Sequence, residues 1–151
     1  MIRRCTNFEE EFSSFIRASG RWRDTTPEAL LGSWARFIDD CEQGYPHDAE
    51  DYFNDLTSRD SLEDALTSAE LQAFPEMQQL RARVEEIDSR LRPLLMTDVF
   101  PRIPDECWWA RGIVKFGRKR FVDEVRREVV SRSMTSQESP AHSRAWDQSP
   151  R

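Results

Sequence analysis

Apolar residues recur every three or four positions through most of the chain, the spacing that places them on one face of an α-helix. The first such segment covers residues 7–19, with acids in its first turn and Gly20 after its end. The second begins at Thr26 and Pro27, a capping residue followed by a proline at the first helical position. Its apolar stripe consists of Leu30, Leu31, Trp34, Phe37, Ile38 and Cys41. Both segments are predicted to be amphipathic helices.

The middle of the chain predicts three further helices. Gly44 suits the left-handed position after the second helix, and Asp48 suits the N-cap of a short third one. A break near residues 57–60 separates that helix from a fourth. The next helix follows Pro75 and ends at Pro93, whose ring disrupts the preceding turn. Its inner face is predicted to contain Met77, Leu80, Val84, Ile87 and Leu91.

The last third of the chain is less regular. Residues 97–117 contain two prolines and two glycines, which predicts a loop with tryptophans and a short extended segment at 113–116. One more helix is expected over 118–131. Residues 132–151 are dominated by Ser, Arg, Pro and Gln, a composition that buries too little apolar surface to order a chain. We expect a disordered tail there.

These elements together predict the fold class. We expect a mainly α-helical single domain over residues 1–131, a bundle of five or six helices. Its parts are an N-terminal helix within 1–24, core helices within 26–96, the loop and the last helix. The apolar stripes of residues 30–41 and 77–91 should pack against each other, with Tyr52, Phe53 and Trp108 closing the ends.

The composition agrees with a folded domain and also indicates its cellular compartment. The 151 residues are 38% hydrophobic and 33% charged, with nine Phe and five Trp, too many large aromatics for a disordered protein. No apolar run approaches the ~20 residues that span a bilayer, and the start resembles no secretory signal. The three cysteines are far apart and form no C-x-x-C pair. We therefore expect a cytoplasmic protein with reduced thiols.

Charge is distributed unevenly along the chain. Residues 39–70 contain eleven acids and one arginine, whereas residues 111–120 contain five basic residues and no acid. A dense acidic face repels nucleic acid and attracts basic proteins. The basic segment offers an alternative, nucleic-acid binding, because its basic residues are interspersed with Trp108, Trp109 and Phe116. Proteins that contact phosphates and stack nucleobases have this pattern. Its candidate phosphate contacts are Arg111, Lys115, Arg118, Lys119 and Arg120.

The stretch "GYPHDAEDYFNDLTSRD" at residues 44–60 is the strongest candidate for a chemical site. An EF-hand is excluded, because Phe53 or Leu56 would occupy the position that needs glycine. Zinc requires more nitrogen or sulfur ligands than His47 alone provides. Two interpretations stay open. The stretch is either a capped, solvated helix or an enzyme site, with or without a divalent ion, built from His47, Asp51, Asp55 and Arg59.

Part of this stretch resembles a known group of proteins. "WARF" at 34–37, "GY" at 44–45 and "DYFNDLTSRD" at 51–60 resemble the shared core of a set of small acidic bacterial proteins of unassigned function. The resemblance covers about residues 28–95 and, weakly, the Trp108–Trp109 pair. It implies no activity. Aromatic and charged residues in fixed order suit a structural corner as well as a contact surface.

These observations favour a small acidic protein-binding module over an enzyme. It would neutralise or escort a basic protein partner, in the manner of an immunity protein or antitoxin. We predict no catalytic centre, metal or cofactor, and neither a membrane nor a nucleic acid as partner. The candidate contact residues are Asp39, Asp40, Asp48, Glu50, Asp51, Asp55, Arg59 and Asp60.

Overall fold

A computed structural model describes residues 7–138, with side chains described for residues 7–131. The α-helical segments of this range are α1 (Phe8–Ala18), α2 (Pro27–Glu42), α3 (Ala49–Asp55), α4 (Thr57–Leu66), α5 (Glu76–Leu91), α6 (Trp108–Arg111) and α7 (Lys119–Glu138). Because α6 is a single turn, six longer helices remain, which confirms the prediction of a mainly α-helical domain with five or six helices. None of the described helices has both the length and the apolar character of a bilayer-spanning segment.

A two-stranded antiparallel sheet accompanies the helices. Strand β1 (Leu95–Met96) pairs with β2 (Ile113–Val114), which lies inside the segment predicted to be extended. Three short 3-10 turns complete the described secondary structure, at Leu71–Ala73, Arg92–Leu94 and Asp105–Cys107.

Side-chain caps explain where three helices begin. The side chains of Asn7, Thr26 and Asp48 each accept a hydrogen bond from a first-turn amide, at 2.8, 3.1 and 2.8 Å respectively. Such caps satisfy amides that have no partner within the helix. After α2, Gly44 has a φ of +92°, the left-handed conformation predicted for it. The N-caps predicted at Thr26 and Asp48 are therefore confirmed.

Two boundaries differ from the sequence prediction. The break placed at 57–60 is wrong, because α4 begins at Thr57 and the chain turns at Leu56 alone. Leu56 is buried and keeps helical dihedral angles, so it joins the two helices without a loop. The last helix runs to Glu138, beyond the predicted limit at 131. The rest of the predicted tail, residues 139–151, lies outside the described residues.

Helix α2 lies at the centre of the bundle and packs against α4 and α5. The predicted contact between the stripes of 30–41 and 77–91 is thereby confirmed. Two residues of α2 also belong to an aromatic cluster, in which neighbouring ring centroids are 5.0–5.7 Å apart. Tyr52 is fully buried and contacts the rings of Phe37, Tyr45 and Phe121. The cluster consists of Trp34, Phe37, Tyr45, Tyr52 and Phe121.

The segment before α7 attaches that helix to the bundle. The amide of Tyr45 donates to the carbonyl of Phe116 at 3.4 Å, and the amide of Arg118 donates to the carbonyl of Tyr45 at 3.1 Å. These bonds place Gly117 against Tyr45. Further along α7, Glu124 accepts a hydrogen bond from the amide of Ala49 at 3.0 Å. Helix α7 thus supports the start of α3.

Gly117 leaves no room for a side chain. A Cβ at this position would lie 2.3 Å from Cδ2 of Phe121, whose ring is buried. We expect Gly117→Ala to lower the free energy of unfolding by about 1–3 kcal/mol, the usual cost of overpacking a core. Urea denaturation followed by circular dichroism measures the change.

Gly32→Ala is the matched control. Gly32 lies within α2, and a Cβ there would meet no atom within 4 Å. Because alanine is the better helix former, this variant should gain up to about 1 kcal/mol. Equal effects of the two substitutions would contradict the packing described at Gly117.

Candidate functional site

A buried ion pair lies between α4 and α5, within the segment that suggested a site. Nη2 of Arg59 is 2.9 Å from Oδ2 of Asp88, and Nε of Arg59 is 3.0 Å from Oδ1. The two residues are only 5% and 4% exposed. The indole of Trp34, on α2, donates a third hydrogen bond to Oδ1 of Asp88 at 2.9 Å. One carboxylate thus connects three helices.

The guanidinium of Arg59 has two more contacts. Its Nη1 lies 2.9 Å from Oε1 of Glu63, and its centre lies 4.1 Å from the ring centroid of Trp109. Burial disfavours the charged guanidinium, but the hydrogen bonds and charges of Asp88 and Glu63 outweigh burial and raise the pKa of Arg59. Trp109 in turn donates from Nε1 to Oδ1 of Asp60 at 2.9 Å. Arg59 and Asp60 therefore attach α6 to α4.

The tyrosines of the same motif are also structural. The hydroxyl of Tyr45 donates to Oδ2 of Asp55 at 2.7 Å, and the hydroxyl of Tyr52 accepts from the amide of Val114 at 3.3 Å. Burial raises the pKa of both tyrosines. Burial also raises the pKa of Asp55, although the hydrogen bond from Tyr45 acts in the opposite direction. These side chains hold α3 to its neighbours.

Four of the eight predicted contact residues form hydrogen bonds with other side chains of this chain. Arg59 is buried and cannot contribute to a contact surface, which corrects its assignment. Asp55 and Asp60 are half-buried and hydrogen-bonded to Tyr45 and Trp109. Asp39 accepts a hydrogen bond of 2.6 Å from Arg90, which also binds Glu42.

The other four predicted residues form what we call the acidic surface: Asp40, Asp48, Glu50 and Asp51. Asp40 is in the last turns of α2, Asp48 caps α3, and the other two occupy the first turn of α3. Within the described residues, none of the four forms an ion pair with a lysine or arginine. Oδ2 of Asp40 lies 3.8 Å from Nε2 of His47. Uncompensated carboxylates are thus concentrated where α2 ends and α3 begins.

An open groove of about 370 Å³ borders the acidic surface at Asp40. Its opposite wall comes from the segment before α7, which the hydrogen bonds of Tyr45 with Phe116 and Arg118 hold in place. The wall includes Arg118, a member of the predicted basic patch. The groove is lined by Asp40, Gln43, Gly44, Pro46, Gly117 and Arg118.

Three residues of the predicted basic patch have partners within the chain. Arg111 binds Asp98 and donates to the carbonyls of Pro101 and Ile103, which fixes the preceding loop. Lys115 donates from Nζ to the carbonyl of Pro93 at 3.4 Å, and Arg120 pairs with Glu124. Lys119 and Arg118 are exposed. Of the aromatic residues proposed for base stacking, Trp109 is buried, Trp108 is covered by Arg92 and Phe116 is exposed.

Two residues of the enzymatic alternative, Arg59 and Asp55, have their polar groups bound within the fold. Arg59 is directed to Asp88 and Glu63, while Asp55 is directed to Tyr45. Among the residues that the structure describes, no group of three or more His, Cys, Asp or Glu side chains could hold a metal ion. The thiol of Cys41 is buried, and burial raises its pKa, which opposes nucleophilic reactivity. This arrangement gives no support to a catalytic site at 47–60.

Sequence reasoning missed Asp88, the partner of Arg59. The signal was present, because Asp88 follows Val84 by four residues and precedes Leu91 by three, on the apolar stripe of α5. An acid at such a position indicates a buried cation or donor elsewhere in the chain. The predicted stripe has Ile87 at this point instead, and Ile87 is only half-buried.

No protein-family model, curated protein or solved structure matches this chain. The resemblance of residues 28–95 to small acidic bacterial proteins stays a prediction, and the arguments about function rest on geometry and charge.

Removing the charge of Asp88 tests the buried pair. Asp88→Asn keeps an oxygen that can accept from Trp34 but leaves the guanidinium of Arg59 buried without its main counter-charge. We expect the free energy of unfolding to fall by about 3–5 kcal/mol, as for other broken buried pairs. Urea denaturation near neutral pH measures the loss.

Glu28→Gln is the control for that experiment. Glu28 forms an ion pair with Arg83 between two exposed side chains, and such pairs contribute about 0–1 kcal/mol. If Asp88→Asn cost no more than Glu28→Gln, the buried pair would not be the main link between α4 and α5.

Asp55 predicts a pH-dependent change in stability. Its raised pKa means that folding disfavours its ionised form, and its position at the end of α3 adds an unfavourable interaction with the helix dipole. Asp55→Asn should therefore be more stable than the wild type at pH 7. The gain should shrink as the pH falls through the raised pKa and vanish below about pH 4, where both states are protonated. A gain that stayed constant from pH 7 to pH 4 would contradict this cause.

Proposed function

We propose that this chain is a small acidic protein-binding module whose acidic surface engages a basic protein partner. The observation that carries the proposal is the contrast between two sets of acids. Asp39, Asp55, Asp60 and Asp88 have cationic or hydrogen-bonding partners within the fold. The four carboxylates of the acidic surface have no lysine or arginine partner in the described part of the chain, although they lie close together.

The acidic surface is held in place before any partner arrives. The amide of Asp51 binds the side chain of Asp48, and the amide of Ala49 binds Glu124 of α7. A short helix fixed at its first turn presents its carboxylates with little freedom to lose on binding. Preorganised charges of this kind favour rapid encounter and a defined orientation of the partner.

The chemistry of the surface defines the partner. Closely spaced carboxylates match arginine and lysine side chains on a folded protein. The net charge of the chain, −6, extends the same attraction over the longer range. A protein that neutralises or escorts a basic protein, as immunity proteins and antitoxins do, has these properties.

A charge-neutralising triple variant tests the proposal. Asp48→Asn, Glu50→Gln and Asp51→Asn together remove three charges and retain the cap, because asparagine also caps helices. Tagged wild-type and variant proteins are used to capture partners from the source cells, and the eluted proteins are identified. We expect a basic protein that the wild type captures and the triple variant loses, with weaker capture as salt rises.

The control removes three charges elsewhere on the molecule. Glu70→Gln, Glu85→Gln and Glu86→Gln lie in and before α5, and all three side chains are exposed. This variant should capture the same protein as the wild type, and circular dichroism should show intact helices in both variants. Equal capture by the two triple variants would reject the acidic surface as the binding site.

A further inference from the structure

The loop between α1 and α2 exposes a large aromatic side chain. Trp22 is 77% exposed, the largest value among the exposed large hydrophobic residues that the structure describes. Tryptophan and arginine are enriched among the residues that contribute most to protein interfaces. Trp22 stands between two arginines, and the side chain of Arg23 is 80% exposed.

This loop is fixed although its tryptophan is in water. Nε of Arg21 donates to the carbonyl of Arg23 at 2.8 Å, across Trp22, and Nη1 of Arg21 donates to Thr57 of α4 at 3.1 Å. Gly20 and Asp24, on either side, have positive φ values of 103° and 50°. A non-glycine residue in that conformation is uncommon and is maintained by surrounding contacts. The backbone thus presents Trp22 in a defined position.

A groove of about 220 Å³ lies where the first turns of α1, α2 and α5 meet. Its floor is apolar, made of Phe8, Pro27, Leu31 and Leu80. Glutamates surround that floor. Glu28 is paired with Arg83, whereas Glu9 and Glu76 have no basic partner among the described residues. An apolar floor with two uncompensated carboxylates suits an aromatic side chain that is flanked by arginines.

In one molecule, Trp22 does not occupy the groove. The groove is lined by residues of α1, α2 and α5, and Trp22 is not among them. The hydrogen bonds of Arg21 to Arg23 and Thr57 hold the loop in the position that leaves Trp22 exposed. A second molecule can offer its groove to Trp22 without breaking these bonds.

We propose that two copies of this chain form a symmetric dimer in which Trp22 of each copy occupies the groove of the other. Arg17 is exposed in the last turn of α1, next to this loop. In the dimer, Arg17 and Arg23 of one copy face Glu9 and Glu76 of its partner copy. A two-fold axis makes the two contacts identical and closes the assembly at two subunits. The proposal does not depend on the acidic surface, which involves other residues.

Sedimentation velocity of the full-length chain over a range of concentrations tests the dimer. We expect the wild type to convert from monomer to dimer as concentration rises, and Trp22→Ala to raise the dissociation constant at least about thirtyfold, as expected for a central interface residue. Phe116→Ala is the matched control, since it removes another exposed aromatic side chain, 62% exposed, from a different surface. It should leave the dissociation constant unchanged.

A complementation experiment separates the loop from the groove. Gln79 lines the groove and is exposed, so Gln79→Arg adds a cation that opposes the incoming arginines. This variant should be monomeric, as should Trp22→Ala. Their mixture should dimerise more strongly than either alone, because Trp22 of the first variant can enter the intact groove of the second.

Three results would overturn the proposal. A wild type that stays monomeric up to its solubility limit excludes the dimer. A Trp22→Ala variant that dimerises like the wild type excludes the loop. A mixture that associates no better than the separate variants excludes the groove as the site that receives Trp22. Circular dichroism of each variant confirms that the fold is intact in these comparisons.

Discussion

The ion pair between Arg59 and Asp88 is the constraint on which the arrangement of the helices depends. A charge removed from water is strongly unfavourable unless a counter-charge and hydrogen bonds replace the lost solvation. Here Asp88 of α5 receives the guanidinium of Arg59 from α4 and the indole of Trp34 from α2. One face of the guanidinium of Arg59 lies against the ring of Trp109 of α6. Apolar packing alone would tolerate several rotations of these helices about their axes. The hydrogen bonds of Arg59, Asp88 and Trp34 can form in only one of those rotations.

The same constraint explains why part of the motif that suggested a site is structural. Its tyrosines, Asp55, Arg59 and Asp60 all bind groups of this chain, and they join α3, α4 and α6. The acidic surface is left by these contacts. Three of its acids favour the isolated helix α3, Asp48 as its N-cap and Glu50 and Asp51 as charges of its first turn. Glu50 and Asp51 are exposed, and Asp40 and Asp48 are half-buried.

Helix α7 connects the two charged regions of the sequence. Through Gly117 and Tyr45 it brings Arg118 to the groove beside Asp40, and through Glu124 it binds the start of α3. Arg118 therefore gives the acidic surface a basic margin beside Asp40. A partner of the proposed kind would meet opposite charges at this margin, which would favour one orientation over others.

The sequence by itself determined the helices, because their signals are local. Apolar spacing placed α1, α2 and α5, and capping residues placed the starts of α2 and α3. It also predicted that the stripes of α2 and α5 would meet. Only the tertiary structure decided which polar residues are buried, since Arg59 and Asp88 are 29 residues apart and each alone resembles a surface residue. It likewise decided that Trp109 is covered while Trp22 is exposed. Burial depends on which elements pack together in space, and the periodicity of a sequence does not specify those contacts.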